Sequence, residues 1–159
     1  MQRNIDIENA LMEAWKEWNR PGAGVFDFDV PKGASLMLKP RSGKIRCADQ
    51  TIGCCWPHRK KINVDYGTDK QEALHTLLHE MCHLASNGHK ADFKGHFAFA
   101  ANRLTGVKFN AKQPCNRLDA DIAEAFGSTA RKDVFAIRDQ NKKDRKASKE
   151  KLRNIINGN

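Results

Sequence analysis

LLHEMCHL, residues Leu77–Leu84, is the most informative segment of this 159-residue sequence. It contains His79 and His83 four residues apart, with Glu80 directly after the first histidine. If the segment is helical, residues four apart lie on one face, so both imidazoles can bind a single ion. Glu80 then lies about 100° around the helix from His79, beside the ion, where it can take a proton from water. The segment therefore predicts a zinc site with Glu80 as general base.

The residues around this segment favour a helix that is buried on one side. Its start is predicted by a capping box, in which Thr68 is the N-cap and Gln71 stands three residues later. Gly88 is a natural stop. An apolar stripe runs between them at helical spacing and consists of Leu74, Leu77, Leu78, Met81 and Leu84.

Catalytic zinc usually has three protein ligands and one open position, and two histidines follow the motif at short range. His89 stands six residues after His83, directly after a glycine at which the chain can turn back over the metal. His96 stands seven residues further on, about two turns along a following helix and on the same face. His89 is the preferred third ligand and His96 is the alternative. The carboxylate alternatives are Glu72 and Asp92.

Three further residues lie near this motif or in the basic part of the chain. His75 precedes His79 by four residues, but we expect it one turn too far along the axis to ligate, as a partly exposed polar residue. His58 is expected at the surface. Tyr66, the only tyrosine, lies just before the helix and is a candidate oxyanion donor.

The remaining periodicities predict an α+β architecture with an N-terminal helix, a small and mainly antiparallel sheet, and two packed helices. The predicted helices are Ile5–Trp18, the motif helix, Ala91–Leu104, Asp119–Phe126 and Ala130–Arg138. The predicted strands are Val25–Val30, Ser35–Leu38, Gly43–Ala48, Thr51–Trp56 and Lys61–Asp65. Residues 1–139 are predicted to form one metallopeptidase domain, and residues 140–159 a basic tail that is helical or flexible.

Composition and cysteine usage narrow the class of protein. No apolar run approaches the roughly 18 residues of a membrane span, and the N-terminus lacks the layout of a signal peptide. The cysteines are Cys47, Cys54, Cys55, Cys82 and Cys115. Their odd number argues against a disulfide framework, and the lack of any C-x-x-C pair excludes a four-cysteine zinc ribbon. We expect a soluble, cytoplasmic monomer with reduced thiols and no membrane partner.

The net charge of +9 is concentrated in two places. Residues 30–62 carry eight basic and one acidic side chain, and residues 140–159 carry seven basic and two acidic. Basic residues around an exposed aromatic side chain suit single-stranded nucleic acid, in which a base can stack on the ring. The predicted contacts are Arg41, Lys44, Arg46, Trp56, Arg59, Lys60 and Lys61. In the alternative interpretation, Trp56 belongs to the core and the basic residues form a solvated sheet edge.

Three segments resemble the SprT-like family, which includes the DNA–protein crosslink protease Spartan. They are LLHEMCHL, GHKADF at Gly88–Phe93, and NRLTG at Asn102–Gly106. The resemblance covers roughly residues 5–107 and implies a zincin-like fold with His89 as third zinc ligand. Two departures concern the link to DNA: the segment between His83 and His89 is shorter than in Spartan-like relatives, and no zinc ribbon follows.

These observations predict a zinc metalloendopeptidase, a hydrolase of proteins associated with DNA. Zn²⁺ is the expected cofactor, and the expected partners are a protein substrate and DNA, with a nucleoid association in a bacterial or phage setting. One alternative is a non-catalytic nucleic-acid-binding protein with a structural zinc. The other is a zinc peptidase that processes a specific regulator without DNA.

Overall fold

The computed structural model describes residues 2–41, 53–56, 60–128 and 146–154, with the backbone alone at 53–56. In chain order its elements are α1 Ile5–Asn19, β1 Ser35–Pro40, β2 Gly53–Trp56, β3 Lys61–Tyr66, α2 Lys70–Cys82, α3 Ala91–Thr105, α4 Cys115–Ala125 and α5 at 146–154. The predicted α+β class is confirmed. The predicted strand at 43–48 and helix at 130–138 lie outside the described residues.

The sheet has three strands in the order β1-β3-β2. β2 runs antiparallel to β3, but β1 runs parallel to it, with Ser35 opposite Lys61 and Pro40 opposite Tyr66. The prediction of a mainly antiparallel sheet is therefore wrong for β1. β3 is the central strand, and its burial alternates along its length. The strand that follows β1 in the chain, β2, therefore lies on the far side of β3 and does not form a hairpin with β1.

Residues 25–30 form no strand, contrary to the prediction. From Phe26 onward their burial does alternate, since Phe26 and Phe28 are half-buried and in ring contact at 5.0 Å, while Asp27 and Asp29 are exposed. The alternation correctly indicated which side chains face the core. It did not indicate a hydrogen-bonded strand partner, because apolar–polar alternation reports side-chain direction only.

The start of α2 differs by one residue from the predicted capping box. Asp69, and not Thr68, is the N-cap, and its carboxylate accepts hydrogen bonds from the backbone N–H groups of Gln71 and Glu72. A carboxylate satisfies these groups and also carries the charge that a helix N-terminus favours. At the other end, α2 stops at Cys82 with His83 as its C-cap, well before Gly88.

α2 separates the core into two clusters, and this position determines where its polar residues emerge. On one side Leu77 and Met81 pack with α1 and the sheet. On the other side Leu78 and Cys82 pack with α3 and α4. The histidines of the motif therefore leave α2 close to α3, whose side chains form the wall of the site.

Part of the basic tail is helical. The residues of α5 are exposed along the whole segment, in agreement with one of the two predicted forms of the tail. Over the described parts of the chain, no helix combines the length and the apolar character that crossing a bilayer would require.

Candidate metal centre

The end of α2 and the loop after it bring three histidines together. His79 lies in the last turn of α2, His83 caps the helix, and His89 comes from the loop that leads to α3. Their Nε2 atoms form a nearly equilateral triangle, 3.2 Å from His79 to His83, 3.2 Å from His79 to His89 and 3.1 Å from His83 to His89. The residues predicted as metal ligands thus converge on one point.

The donor chemistry of this triangle suits a metal ion. His83 Nδ1 lies 3.0 Å from the Ser86 carbonyl, which only accepts, so Nδ1 carries the hydrogen and Nε2 carries a lone pair. His79 Nδ1 lies 3.1 Å from a carboxylate oxygen of Asp119, which favours the same tautomer. Nitrogens bound tetrahedrally to zinc at about 2.0–2.1 Å stand about 3.3–3.4 Å apart, close to the separations in this triangle. Lone pairs that converge in this way repel one another unless a cation lies between them.

The charge state of His83 agrees with this role. Burial, followed by the neighbouring His79, lowers the pKa of His83 from 6.5 to about 4. The imidazole is therefore neutral at physiological pH, and the neutral form is the one that ligates metals.

Phe93 of α3 forms the apolar wall behind the triad. Its ring stacks on His83 at a centroid distance of 4.2 Å and an interplanar angle of 16°. It also meets the rings of His79 at 4.9 Å and His89 at 5.1 Å. Gly88 has a φ of 73°, in the left-handed region that favours glycine, and it sets the direction in which His89 leaves the loop. Gly88, His89 and Phe93 of the GHKADF segment therefore all contribute to the structure of the triad.

Glu80 follows His79 directly in α2. It is only 7% exposed, which is unusual for a carboxylate on a helix. In the described part of the chain, the one cluster of potential ligands consists of the three histidines and does not include Glu80. This is the placement expected of a group that acts beside the ion and does not bind it.

The triad opens toward solvent on the side of His89. His89 is exposed, whereas His79 and His83 are half-buried. Structural zinc sites are closed by four protein ligands, and catalytic sites keep one position open. The described residues supply three ligands at an accessible site, which matches the catalytic type.

Behind His79 lies a pair of buried residues whose importance the sequence did not reveal. Asp119 of α4 contacts His79, and the same oxygen lies 2.7 Å from His75 Nε2, a contact of ion-pair distance without hydrogen-bond angles. His75 is 0% exposed, so the expectation of a partly exposed residue is wrong. Asp119 entered the prediction only as a helix start. Its position between the apolar residues Leu118 and Ile122 was the available signal, because an acidic residue on a buried helix face needs partners.

The alternative ligands are engaged elsewhere. His96 Nδ1 lies 2.7 Å from Asp27 Oδ1. Glu72 pairs with Arg41 at 2.9 Å, and the Asp92 carboxylate accepts a hydrogen bond from the next backbone N–H at 2.9 Å. None of these three alternatives belongs to the cluster of potential ligands found among the described residues.

Tyr66 does not serve the site as the predicted oxyanion donor. Its side chain is buried between α1 and the sheet, its hydroxyl donates to Glu8, and the Asn4 backbone N–H donates to the same hydroxyl at 2.9 Å. Burial and the bond to Glu8 raise the pKa of Tyr66 above 10. The hydroxyl is thus a structural group of the α1 interface.

The predicted nucleic-acid contacts are only partly described by the structure. Arg41 is wrong as a surface contact, because its side chain is 10% exposed and lies against Glu72. Lys60 is exposed and donates to the Lys32 carbonyl at 3.2 Å, and Lys61 is half-buried on β3. The other predicted contacts have side chains outside the described residues: Lys44, Arg46, Trp56 and Arg59. His58, which was expected at the surface, also lies outside them. A basic surface in this region stays a prediction.

Comparison of the chain with protein-family models, with curated proteins and with solved structures gives no match. What bears on function is therefore the geometry of the site itself: three convergent imidazole nitrogens, a buried carboxylate that follows His79 in α2, and one side open to solvent.

Proposed function

We propose that the protein is a zinc-dependent metalloendopeptidase of the SprT-like type. The observation that carries this proposal is the triangle of Nε2 atoms at 3.1–3.2 Å, with the buried Glu80 next to His79 in α2. A helical HExxH segment with a third histidine from the following loop is the arrangement of a metallopeptidase centre.

Each residue of the site has a defined task in this reaction. His79, His83 and His89 hold the ion through Nε2. Zinc, when bound, supplies Lewis acidity that makes water a competent nucleophile at neutral pH and polarises the peptide carbonyl. The Glu80 carboxylate accepts a proton from the attacking water and then delivers it to the nitrogen of the leaving amine.

The resemblance in sequence supports the family part of the proposal. Phe93, the last residue of GHKADF, is the residue that stacks on His83, and Gly88, its first, provides the left-handed turn before His89. The motif residues therefore have site-building tasks and do not match the family by composition alone.

We propose that the substrates are proteins associated with DNA. The support is the basic excess of the chain and the exposed helix α5, which carries Lys146, Lys149, Lys151 and Arg153 against a single acidic residue, Glu150. Such a surface provides sequence-independent phosphate contacts whose strength falls with salt.

The test compares the wild type with Glu80→Gln, which removes the proton acceptor while retaining shape. Zinc content and cleavage of a basic protein are measured with and without single-stranded DNA. We expect both proteins to hold zinc and the variant to cleave about 100- to 10,000-fold more slowly. Glu13→Gln, the same change at an exposed position of α1, is the matched control and should cleave like the wild type.

Two results would contradict the proposal in different ways. If the zinc-loaded wild type cleaves no protein under any condition, the enzymatic function is wrong. If it cleaves equally well without DNA, the DNA association is wrong and a peptidase that processes a specific protein is favoured.

A further inference from the structure

We infer that Asp119 is the positioning residue of the metal centre, and that His75 fixes it in place from within the core. This inference rests on the proposed function, because it assigns the Nε2 atom of His79 to a metal ion. It concerns two residues that lie behind the triad, and Asp119 is the one that contacts His79.

Asp119 is itself placed rigidly by its own helix. Its neighbours Leu118 and Ile122 are completely buried in the cluster formed by α2, α3 and α4. Since these two side chains anchor the face of α4 from which Asp119 projects, its carboxylate reaches α2 at a fixed point. The Asp119 side chain is 7% exposed, so solvent contributes little to the contact with His79.

The contact determines which nitrogen of His79 is available to a metal. A carboxylate oxygen 3.1 Å from Nδ1 holds the hydrogen on Nδ1 and keeps the lone pair on Nε2, the atom in the triangle. It also fixes the rotation of the ring. Hydrogen bonds of this kind orient metal-bound histidines and raise their basicity, and losing one weakens metal affinity.

The other ligand on α2 is oriented differently, which makes a clean comparison possible. His83 Nδ1 is held by the backbone carbonyl of Ser86, which no substitution removes. His79 is held by a side chain. The orientation of His79 can therefore be changed by mutation of Asp119 without altering the ligand itself.

His75 extends the network into the core. Its ring is completely buried next to Phe97 at 5.9 Å and Phe126 at 6.3 Å, and its Nε2 lies 2.7 Å from the Asp119 oxygen that also meets His79. Among the described residues neither ring nitrogen makes a hydrogen bond, so Nε2 meets Asp119 through a close polar contact and Nδ1 has no partner of its own. Burying an unpartnered polar nitrogen opposes folding, and an apolar side chain would have filled this space without that penalty. The imidazole is accounted for if its task is to hold the carboxylate.

The experiment measures metal binding and does not depend on cleavage. Asp119→Ala, Asp119→Asn and His75→Phe are titrated with zinc against a competing chelator, and with Co²⁺ to record its visible absorption bands. We expect Asp119→Ala to weaken zinc binding about 10- to 100-fold and to shift the Co²⁺ bands. Asp119→Asn should fall between Asp119→Ala and the wild type, because its amide oxygen still accepts from His79.

His75→Phe keeps the aromatic packing but removes the nitrogen that meets Asp119. It should weaken zinc binding in the same direction and to a smaller extent than Asp119→Ala. Asp121→Ala is the matched control, an exposed aspartate on the same helix that pairs with Gln113, and it should bind both metals like the wild type.

The outcomes separate this inference from the proposed function. If Asp119→Ala lowers the melting temperature of the metal-free protein but binds zinc and Co²⁺ as the wild type does, Asp119 is merely structural and the inference is overturned. Should Asp119→Ala fail to fold, Asp119→Asn decides, and an unchanged zinc dissociation constant overturns the inference. A wild type that binds zinc but cleaves nothing removes the proposed function without affecting the result for Asp119.

Discussion

The two ends of α2 hold polar groups in opposite ways. At the N-terminal end, the carboxylate of Glu72 is paired with the guanidinium of Arg41 at 2.9 Å. At the C-terminal end, His79, His83 and His89 turn nitrogens of the same kind toward one another. In the first case the chain supplies both charges, and the pair stabilises the fold. In the second case the partner that we propose for the nitrogens is a cation from solution, and we call this end of α2 the functional end.

The largest effect is expected when the structural end is broken. Arg41→Leu leaves the fully buried Glu72 carboxylate without its partner, and we expect the free energy of unfolding to fall by about 3–5 kcal/mol. Urea denaturation measures the change. Arg20→Leu, which breaks the exposed pair with Glu17, is the control and should change stability little. Equal losses of stability in the two variants would show that the buried pair stabilises the fold no more than the exposed pair does.

At the functional end, the third ligand can be separated from its alternative. His89→Ala removes one corner of the triangle and should weaken zinc binding by more than the about 10- to 100-fold typical of losing a ligand's hydrogen-bond partner. His96→Ala should bind zinc as the wild type does, because His96 pairs with Asp27 away from the triad. Zinc retained by the first variant and lost by the second would reverse the assignment.

Acid denaturation tests a second buried carboxylate with a structural role, that of Glu8. Burial opposes ionisation of Glu8, but hydrogen bonds from Tyr66 and Arg3 outweigh it and lower the pKa of Glu8 below 4.5. A carboxylate with a depressed folded-state pKa stabilises the protein above its unfolded value and loses that contribution as the pH falls through the folded value. The free energy of unfolding should therefore fall more steeply between pH 6 and pH 3 in the wild type than in Glu8→Gln. Glu13→Gln, the control, should lose stability with falling pH as steeply as the wild type. If Glu8→Gln loses it equally steeply, the hydrogen bonds of Glu8 do not contribute to stability as proposed.

The smallest effect is expected in α5, which comes more than 60 residues after α2 in the chain. Replacing Lys146, Lys149 and Lys151 by Gln should weaken binding of single-stranded DNA modestly and reduce its salt dependence, by about 0.7 in logarithmic slope for each phosphate that is no longer neutralised. Fluorescence anisotropy at several salt concentrations measures this. Glu150→Gln, on the same helix, should not weaken binding. A salt slope that the lysine changes leave untouched would assign DNA binding to another surface.

The parts of the molecule that the sequence predicted well depend on local patterns. The spacing of His79 and His83 within an apolar stripe identified both the helix and its candidate ligands, and the alternation in β3 identified its buried face. His89 followed from its distance to His83 and from the glycine before it. Each of these signals lies within a few residues of what it predicts.

The parts that the sequence did not predict depend on contacts between distant segments. Arg41 was interpreted as a surface residue because its partner Glu72 is 31 positions away. Asp119 lies 40 positions from His79, and nothing near either residue indicates that α4 packs against α2. The parallel pairing of β1 with β3 has the same origin, since alternation indicates which face is buried but not which strand lies alongside.

The central claim is that three imidazole nitrogens of α2 and the following loop hold a zinc ion at an accessible site. X-ray absorption spectroscopy at the zinc edge of the loaded protein tests it most directly. The account predicts three nitrogen ligands from histidine at about 2.0–2.1 Å and a fourth light ligand from solvent, and loss of one histidine contribution in His89→Ala. Sulfur ligation at about 2.3 Å, or a fourth ligand from the protein, would contradict it and indicate a closed structural site.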